Sequence, residues 1–484
     1  MRRFLGLLKP LGALTVFFGA LMSLPAAVSW FYEDGFAGVY LTCAGAAAAG
    51  GAIAALIGNY ARVSDFALRD GFFLLVLIWI LFPALAAMPL LQTLPDLSFS
   101  RAYFEAASGL TATGATVLSG LDSLPPSLNF WRGEMIWLGG MGLIVLAIAI
   151  LPALGGGAAM MQNELPGPAK EERLTPQIAQ TAKSLWLAYA ALTAACAAAY
   201  FIAGMTAFDA IIHAFTTLGL GGFSSHDASY GYFNSPWIEA VAVVFMVAAG
   251  INFALHFLAW RRKTARFYWR NLECRAYLLA LAAAVAAVVC YLRFSETYDT
   301  WGEAARYGIF NAVSIITTTG YSNADYNAWP IFAPLLMLVL ANFISCGGST
   351  GGGVKMQRVL IAAYQAETET QKQLHPRAYY SNKAAPSMPQ KQIVSALFFI
   401  LAYGGTALVL ILALAASGMD LTTAFSAALA TISNTGPGLG EVGPASNYGN
   451  LTLPQTWLCA GAMLVGRLEL LSFFILMRRS FWTY

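Results

Sequence analysis

Four short segments ending in glycine recur along this chain, each at the same place in an apolar–polar–apolar unit. They are Ala112–Thr113–Gly114, Thr217–Leu218–Gly219, Thr318–Thr319–Gly320 and Asn434–Thr435–Gly436. With the final glycines in register, the spacings are 105, 101 and 116 residues. One such triplet carries no information, but four in step predict four copies of one supersecondary unit in a single polypeptide. Each triplet follows a weakly apolar stretch, near 99–111, 206–216, 303–317 and 419–433. These stretches are too short to cross a bilayer and read as re-entrant half-helices. Four glycine-containing loops around one axis can surround a bare ion with backbone carbonyls.

The rest of the chain fits a bilayer. It is 58% hydrophobic and 11% charged, where soluble domains carry about 25% charged residues. Ten runs have the length and apolarity of spans: 4–30, 36–59, 71–94, 129–152, 181–204, 236–260, 275–294, 330–346 (resuming towards 362), 392–416 and 454–477. The predicted fold class is therefore an all-α polytopic membrane protein. It has an N-terminal helix pair (1–67) and four pseudo-symmetric pore units at 68–154, 175–262, 270–364 and 388–484.

Charge distribution orients these spans. Lys and Arg gather at 1–9, 60–70, 155–183, 261–275, 355–391 and 478–484, all on one side if the ten spans alternate. The positive-inside rule makes that side cytoplasmic, so both termini are inside and every glycine loop opens outward. The joints are polar, as in L-P-G-P-A-K-E-E-R-L-T-P (165–176), and the longest, Tyr364–Lys391, is a candidate docking surface for a soluble partner. Arg2 and Arg3 before an apolar run imitate a signal peptide, but the run is long and a second span follows closely. The six Cys residues have no metal-ligand or disulfide spacing and read as small packing residues.

The triplets suit a monovalent cation. Backbone carbonyls replace a hydration shell without the trapping that a strong charged ligand would impose. The C-terminal ends of the half-helices add partial negative charge. A divalent or proton site calls for carboxylates or His, which the triplets lack. Asp122, Asp227, Asp325 and Glu441 follow the four loops and are candidates for an acidic outer vestibule. The side chains of the four triplets diverge, with Leu218 where the others carry Thr. That points to carbonyls rather than hydroxyls as the main ligands.

Further segments carry a resemblance: W-L-G-G-M-G (137–142), G-G-F-S-S-H-D-A-S (221–229), C-G-G-S-T-G-G-G-V-K (346–355), N-T-G-P-G-L-G (434–440) and G-R-L-E (466–469). With the four loops and the leading helix pair, they resemble the TrkH potassium transporters of the Trk/Ktr/HKT superfamily over nearly the whole chain. The resemblance implies K+ uptake across the bacterial cytoplasmic (inner) membrane, with K+ coordinated around the four triplets. It also implies a homodimer and a TrkA-type cytoplasmic regulatory protein that senses nucleotides. All four triplet glycines are present, which favours K+ over the Na+-permeable relatives that carry Ser at one such position. Ala112 departs from the Thr common in the family, a change that a carbonyl ligand survives. Neither an organic cofactor nor a nucleic-acid partner is implied.

Gly347, Gly348, Ser349, Thr350, Gly351, Gly352 and Gly353 interrupt an expected span. So many glycines cannot hold a helix, and irregular backbone at this depth belongs beside a water-filled cavity. By resemblance this is the intramembrane gating loop. The spacing fails a Walker loop, since Val354 separates Gly353 from Lys355. Arg467, in the last span with Glu469 nearby, either snorkels to the surface or, as the resemblance implies, projects into the pore beside the loop. Gly139, Gly140, Gly142 and the small residues of 43–58 suit close helix packing. His213 and His256 read as hydrogen-bonded packing residues. No cluster of His, acid or Cys residues suggests an enzyme. A symporter coupling K+ to H+ or Na+ is the competing mechanism, although the units repeat in parallel without a broken-helix inverted repeat.

Overall fold

The computed structural model describes residues 2–61, 68–142, 178–375 and 389–482. The expected joint at 165–176, the second half of the 129–152 span and residues 376–388 of the expected Tyr364–Lys391 joint lie outside them. Among the described residues the regular secondary structure is helical throughout, in agreement with the all-α expectation.

Helices α1 (Arg2–Leu21), α2 (Leu24–Tyr32) and α3 (Ala37–Tyr60) form the leading pair of spans. The small residues of α3 serve this contact. A Cβ on Gly12 would lie 2.3 Å from the Gly51 carbonyl oxygen, and one on Gly58 2.2 Å from Lys9 N. Such close backbone approach is how helices associate where lipid is as apolar as the side chains.

Four units of one design follow. A long apolar helix leads each: α4 (Leu68–Thr93), α7 (Ile178–Ile202), α12 (Leu272–Phe294) and α16 (Gln390–Ala416). A short helix re-enters behind it: α5 (Phe99–Leu110), α8 (Ala207–Gly219), α13 (Trp301–Ile316) and α17 (Leu421–Ile432). Three of the re-entrant helices start on a side-chain cap, with Thr206, Thr300 and Asp420 accepting from the N–H groups of Asp209, Glu303 and Thr423. Such caps satisfy donors that the first turn leaves unpaired.

The second helix of each unit is interrupted, which the sequence predicts only for the third, at Gly347–Gly353. Six of the ten expected spans are long and apolar enough to cross a membrane, and the other four are the returning segments. Each of these breaks. Helix α6 (Pro126–Trp137) passes into a π-helical turn at Leu138–Gly142. Helices α9 (Pro236–Ala249) and α10 (Phe253–Arg262) meet at 97°. Helix α14 (Phe332–Ala341) is separated from α15 (Met356–Leu374) by the glycine-rich stretch. Helices α18 (Leu453–Arg467) and α19 (Leu471–Met477) flank Glu469 and Leu470, both at positive φ. At the other three breaks apolar composition gives little warning, because most of the residues there are themselves small or apolar. Three of the breaks pack against the ends of re-entrant helices, where a Cβ on Gly139, Gly352 or Gly466 would lie 1.9, 1.9 or 2.1 Å from the carbonyl oxygens of Leu110, Ser433 and Ile432.

Candidate functional site

The re-entrant helices end in one conformation repeated four times. The residue after the last turn is left-handed in each unit: Ala112 (φ 53), Leu220 (φ 53), Thr318 (φ 65) and Asn434 (φ 56). Two residues on stands a glycine of positive φ: Gly114 (82), Gly222 (67), Gly320 (90) and Gly436 (95). Between them, the N–H groups of Thr113, Gly221, Thr319 and Thr435 reach back five residues to the carbonyls of Ser108, Thr216, Ser314 and Ala430 at 2.8 to 3.0 Å.

This equivalence corrects one expectation. The second loop is Leu220–Gly221–Gly222, not Thr217–Leu218–Gly219, which closes helix α8. Thr217 spends its hydroxyl on Tyr200 Oη at 2.8 Å and Tyr321 Oη at 3.1 Å, while the Leu218 carbonyl accepts from Thr350 Oγ1 at 2.9 Å. A T-L-G triplet imitates the motif, yet its residues continue the helical ladder for a further turn. The better signal was the adjacent glycine pair at 221–222. In the other three units the same conformation spans Ala112–Gly114, Thr318–Gly320 and Asn434–Gly436.

The loops form a closed ring. A Cβ on Gly114 would lie 1.9 Å from Gly221 O, on Gly222 2.2 Å from Thr319 O, on Gly320 2.3 Å from Thr435 O, and on Gly436 2.6 Å from Thr113 O. Each glycine is thus required twice, by its φ and by the neighbouring strand. The four carbonyls in this cycle accept no hydrogen bond from any described residue. Buried carbonyls are nearly always paired, so four unpaired ones in a ring are the groups that could hold a cation. The hydroxyls are already engaged. Thr111 bonds Thr113 at 2.6 Å, Thr317 bonds Thr319 at 2.8 Å and Ser433 bonds Thr435 at 2.7 Å. Loop 2 has Gly219 and Gly221 at these positions and lacks the pair.

Outside the ring lies a cavity of about 240 Å³ bordered by Gly114, Gly222, Gly320 and Pro437, hence by all four loops. Of the four candidate vestibule acids, Asp227 alone borders this cavity. Asp227 lines the cavity and accepts from Leu121 N at 3.0 Å. Asp122 instead pairs with His226 Nδ1, and Asp325 caps its own turn by accepting from Asn327 N. Glu441 is exposed and does not border the cavity. His226 also lies 3.2 Å from Asp209 Oδ1. Burial pushes this imidazole towards neutrality, but the two carboxylates outweigh it and raise its pKa. For Asp122, burial opposes ionisation, yet hydrogen bonds from His226 and Asp227 N–H hold the pKa below the usual carboxylate value.

Beneath the ring sits the glycine-rich stretch. Gly352 N–H donates to Thr318 Oγ1 at 3.0 Å, and a Cβ on Gly352 would lie 1.9 Å from Ser433 O. Thr350 reaches Leu218 O, Gly347 N–H donates to Glu273 Oε1 at 2.6 Å, and Ser349 Oγ bonds Cys346 O at 2.7 Å. Gly348, Gly351 and Gly353 pack against Asn252, Ser345 and Asn342. Arg467 crosses to this stretch rather than to the membrane surface. Its Nη1 donates to Thr350 O at 3.0 Å and its Nη2 to Gly139 O at 2.6 Å and to Gly140 O. Glu469 pairs with Arg358, whose guanidinium lies 3.9 Å over the Phe399 ring. His213 and His256 are hydrogen-bonded inside the packing, His213 to Ser224 Oγ and Asp209 O, and His256 to Tyr268 Oη and Ala248 O.

Sequence reasoning missed the charged brace behind loops 1 and 2. Arg132 Nε and Glu105 Oε1 are 2.9 Å apart with side chains 1% and 0% exposed. The available signal was an ionisable residue of each sign inside adjacent apolar stretches.

A polytopic α-helical protein with a pseudo-fourfold ring of free carbonyls, closed beneath by an irregular loop, has the architecture of an ion-conducting transport protein. The comparisons make this specific. A model of the TrkH family, described as cation transport protein, matches residues 45–484. The Trk system potassium uptake protein TrkH of Vibrio parahaemolyticus is 40% identical, covering 99% of both chains, and that of Salmonella typhimurium 39% identical, also over 99% of both. A crystal structure of the potassium transporter TrkH from Vibrio parahaemolyticus matches with a TM-score of 0.89 at 38% identity, covering 99% of each chain. The chain belongs to the TrkH family of cation transport proteins and is not an enzyme.

Proposed function

We propose that this protein mediates K+ uptake across the bacterial inner membrane, with K+ coordinated in turn by the loop carbonyls of Ala112–Gly114, Leu220–Gly222, Thr318–Gly320 and Asn434–Gly436. The observation that carries this reading is the closed cycle of four hydrogen-bond-free carbonyls at Thr113, Gly221, Thr319 and Thr435. Neutral dipoles fixed in place bind a dehydrated monovalent ion yet release it. The helix pair and four units divide the labour, one holding the assembly and four lining the path. The stretch Gly347–Gly353 and Arg467 act as the gate, since one fixed cation holds carbonyls of units 1 and 3 together under the ring. Helix α15 begins at Met356, directly after this stretch, so a TrkA-type nucleotide-sensing protein docked on α15 and the cytoplasmic face would act on the gate through it. The reading includes both termini in the cytoplasm and the homodimer that the resemblance implies.

The test is the reversal potential of the purified protein in a planar bilayer under a K+ gradient at several pH values. A Nernstian K+ potential indifferent to pH supports passive conduction. A shift with proton or Na+ gradient would replace it with obligatory symport. Gly320→Ser, which must push the Thr435 carbonyl away, should reduce K+/Na+ discrimination. An unchanged ratio would remove the filter assignment.

A further inference from the structure

Three of the four re-entrant helices carry, at one equivalent position, a polar brace to the segment leaving the loop. Glu105 accepts from Thr116 Oγ1 at 2.9 Å and Val117 N–H at 2.9 Å. His213 Nε2 meets Ser224 Oγ at 3.0 Å, and Asn311 Nδ2 donates to Asn323 Oδ1 at 2.6 Å. In the fourth unit Ala427 holds this position, and the adjacent Ser426 bonds Leu439 instead, accepting from its N–H at 2.8 Å. Three braces stay within their own unit. The first does not, because Glu105 also holds Arg132, and Arg132 extends into unit 2. Its Nη1 donates to Ser224 O at 3.0 Å, its Nη2 to Thr116 Oγ1 at 3.3 Å, and its guanidinium lies 4.4 Å from the centre of the Phe223 ring. Thr116 and Ser224 each stand two residues beyond their ring glycine. Arg132 thus ties the exits of loops 1 and 2 together.

Loop 2 is the loop that needs such a tie. Its residues 219, 221 and 222 are all glycine, and it lacks the hydroxyl pair that fastens the other three loops to their helices. Glycine gives the conformation but no stiffness. We propose that Arg132, held by Glu105, is a positioning residue for the second filter loop, and that discrimination of K+ from Na+ depends on it. A planar fork with several donors can hold Glu105, Thr116 and Ser224 O at once, whereas an ammonium cannot reach all three. This inference rests on the filter reading above.

The test uses two variants of the full-length protein, with permeability ratios taken from reversal potentials under opposed K+ and Na+. Arg132→Lys keeps the charge facing Glu105 and loses the fork. Glu105→Gln with Arg132→Met removes both charges together, a change buried pairs commonly tolerate, and leaves an amide oxygen at position 105 able to accept from Val117 N–H. Each is expected to melt near the wild-type temperature and to conduct K+, with the K+/Na+ ratio lowered about tenfold. Folding alone would not move that ratio. Arg132→Lys with a wild-type ratio overturns the inference, whatever the double variant does. Gly320→Ser runs in parallel. If it lowers the ratio while Arg132→Lys does not, this inference alone fails; if neither does, the filter reading fails with it.

Discussion

Gly222→Ala separates the ring seen in the structure from the one the triplets suggest. At φ 67, alanine carries left-handed strain of about 1–2 kcal/mol. Its methyl would also lie 2.2 Å from Thr319 O, far inside a normal contact of about 3.5 Å. Loop 3 therefore retreats by roughly 1 Å, and one of four carbonyls leaves its station. Losing one charge–dipole contact is comparable to losing a hydrogen bond to a charged group, about 1.5–3 kcal/mol. At 1.4 kcal/mol per decade, that lowers K+/Na+ discrimination about ten- to a hundredfold. Gly219→Ala is the control. Gly219 lies in α8, is not among the positive-φ residues, and its Cβ would first meet Ile136 Cγ2 at 2.6 Å, so stability should fall while selectivity stays near wild type. Bi-ionic reversal potentials of the two purified variants decide the matter. A wild-type ratio for Gly222→Ala beside a lowered one for Gly219→Ala would refute the register.

Two further outcomes follow from the flanks of the ring. Arg467→Gln removes charge-assisted bonds to Thr350 O and Gly139 O, each worth about 1.5–3 kcal/mol, so Rb+ flux into liposomes should rise several-fold; unchanged flux would take Arg467 out of the gate. At the outer mouth, the imidazolium of His226 is favoured by Asp122 and Asp209, so its stabilising contribution is full below the usual value of 6.5 and is lost as pH rises through the raised folded value. Melting temperature should decline over that window, and His226→Gln should flatten the decline; identical pH profiles would exclude the cluster.

The sequence was most readable where periodicity and composition speak. Apolar length located the four leading helices and the helix pair, and the four short stretches became α5, α8, α13 and α17. Reading failed where geometry is decided by partners distant in the chain. The breaks at Gly250–Asn252 and Leu468–Leu470 carry no strong local breaker beyond one glycine, and are set by what packs there: the Gly250 α-carbon faces the Tyr277 ring, too close for a side chain. Thr217–Gly219 misled because a triplet at a helix end and a triplet in a loop share composition, and only the sign of φ distinguishes them. Asp122 and Asp325 looked like vestibule acids because spacing cannot tell an unpaired carboxylate from one already committed to His226 or to its own turn. The Glu105–Arg132 brace joins residues of separate helices, and its reach to Ser224 O is set by the fold rather than by sequence spacing.

In the proposed filter the ion is bound by the carbonyls of Thr113, Gly221, Thr319 and Thr435. Anomalous diffraction from crystals grown in Rb+ or Tl+ tests it most directly. The expected result is a peak on the pseudo-fourfold axis bounded by those four oxygens, diminished when the crystals are moved to Na+. Full occupancy bounded instead by Thr217–Gly219, or no peak within the ring, would contradict it.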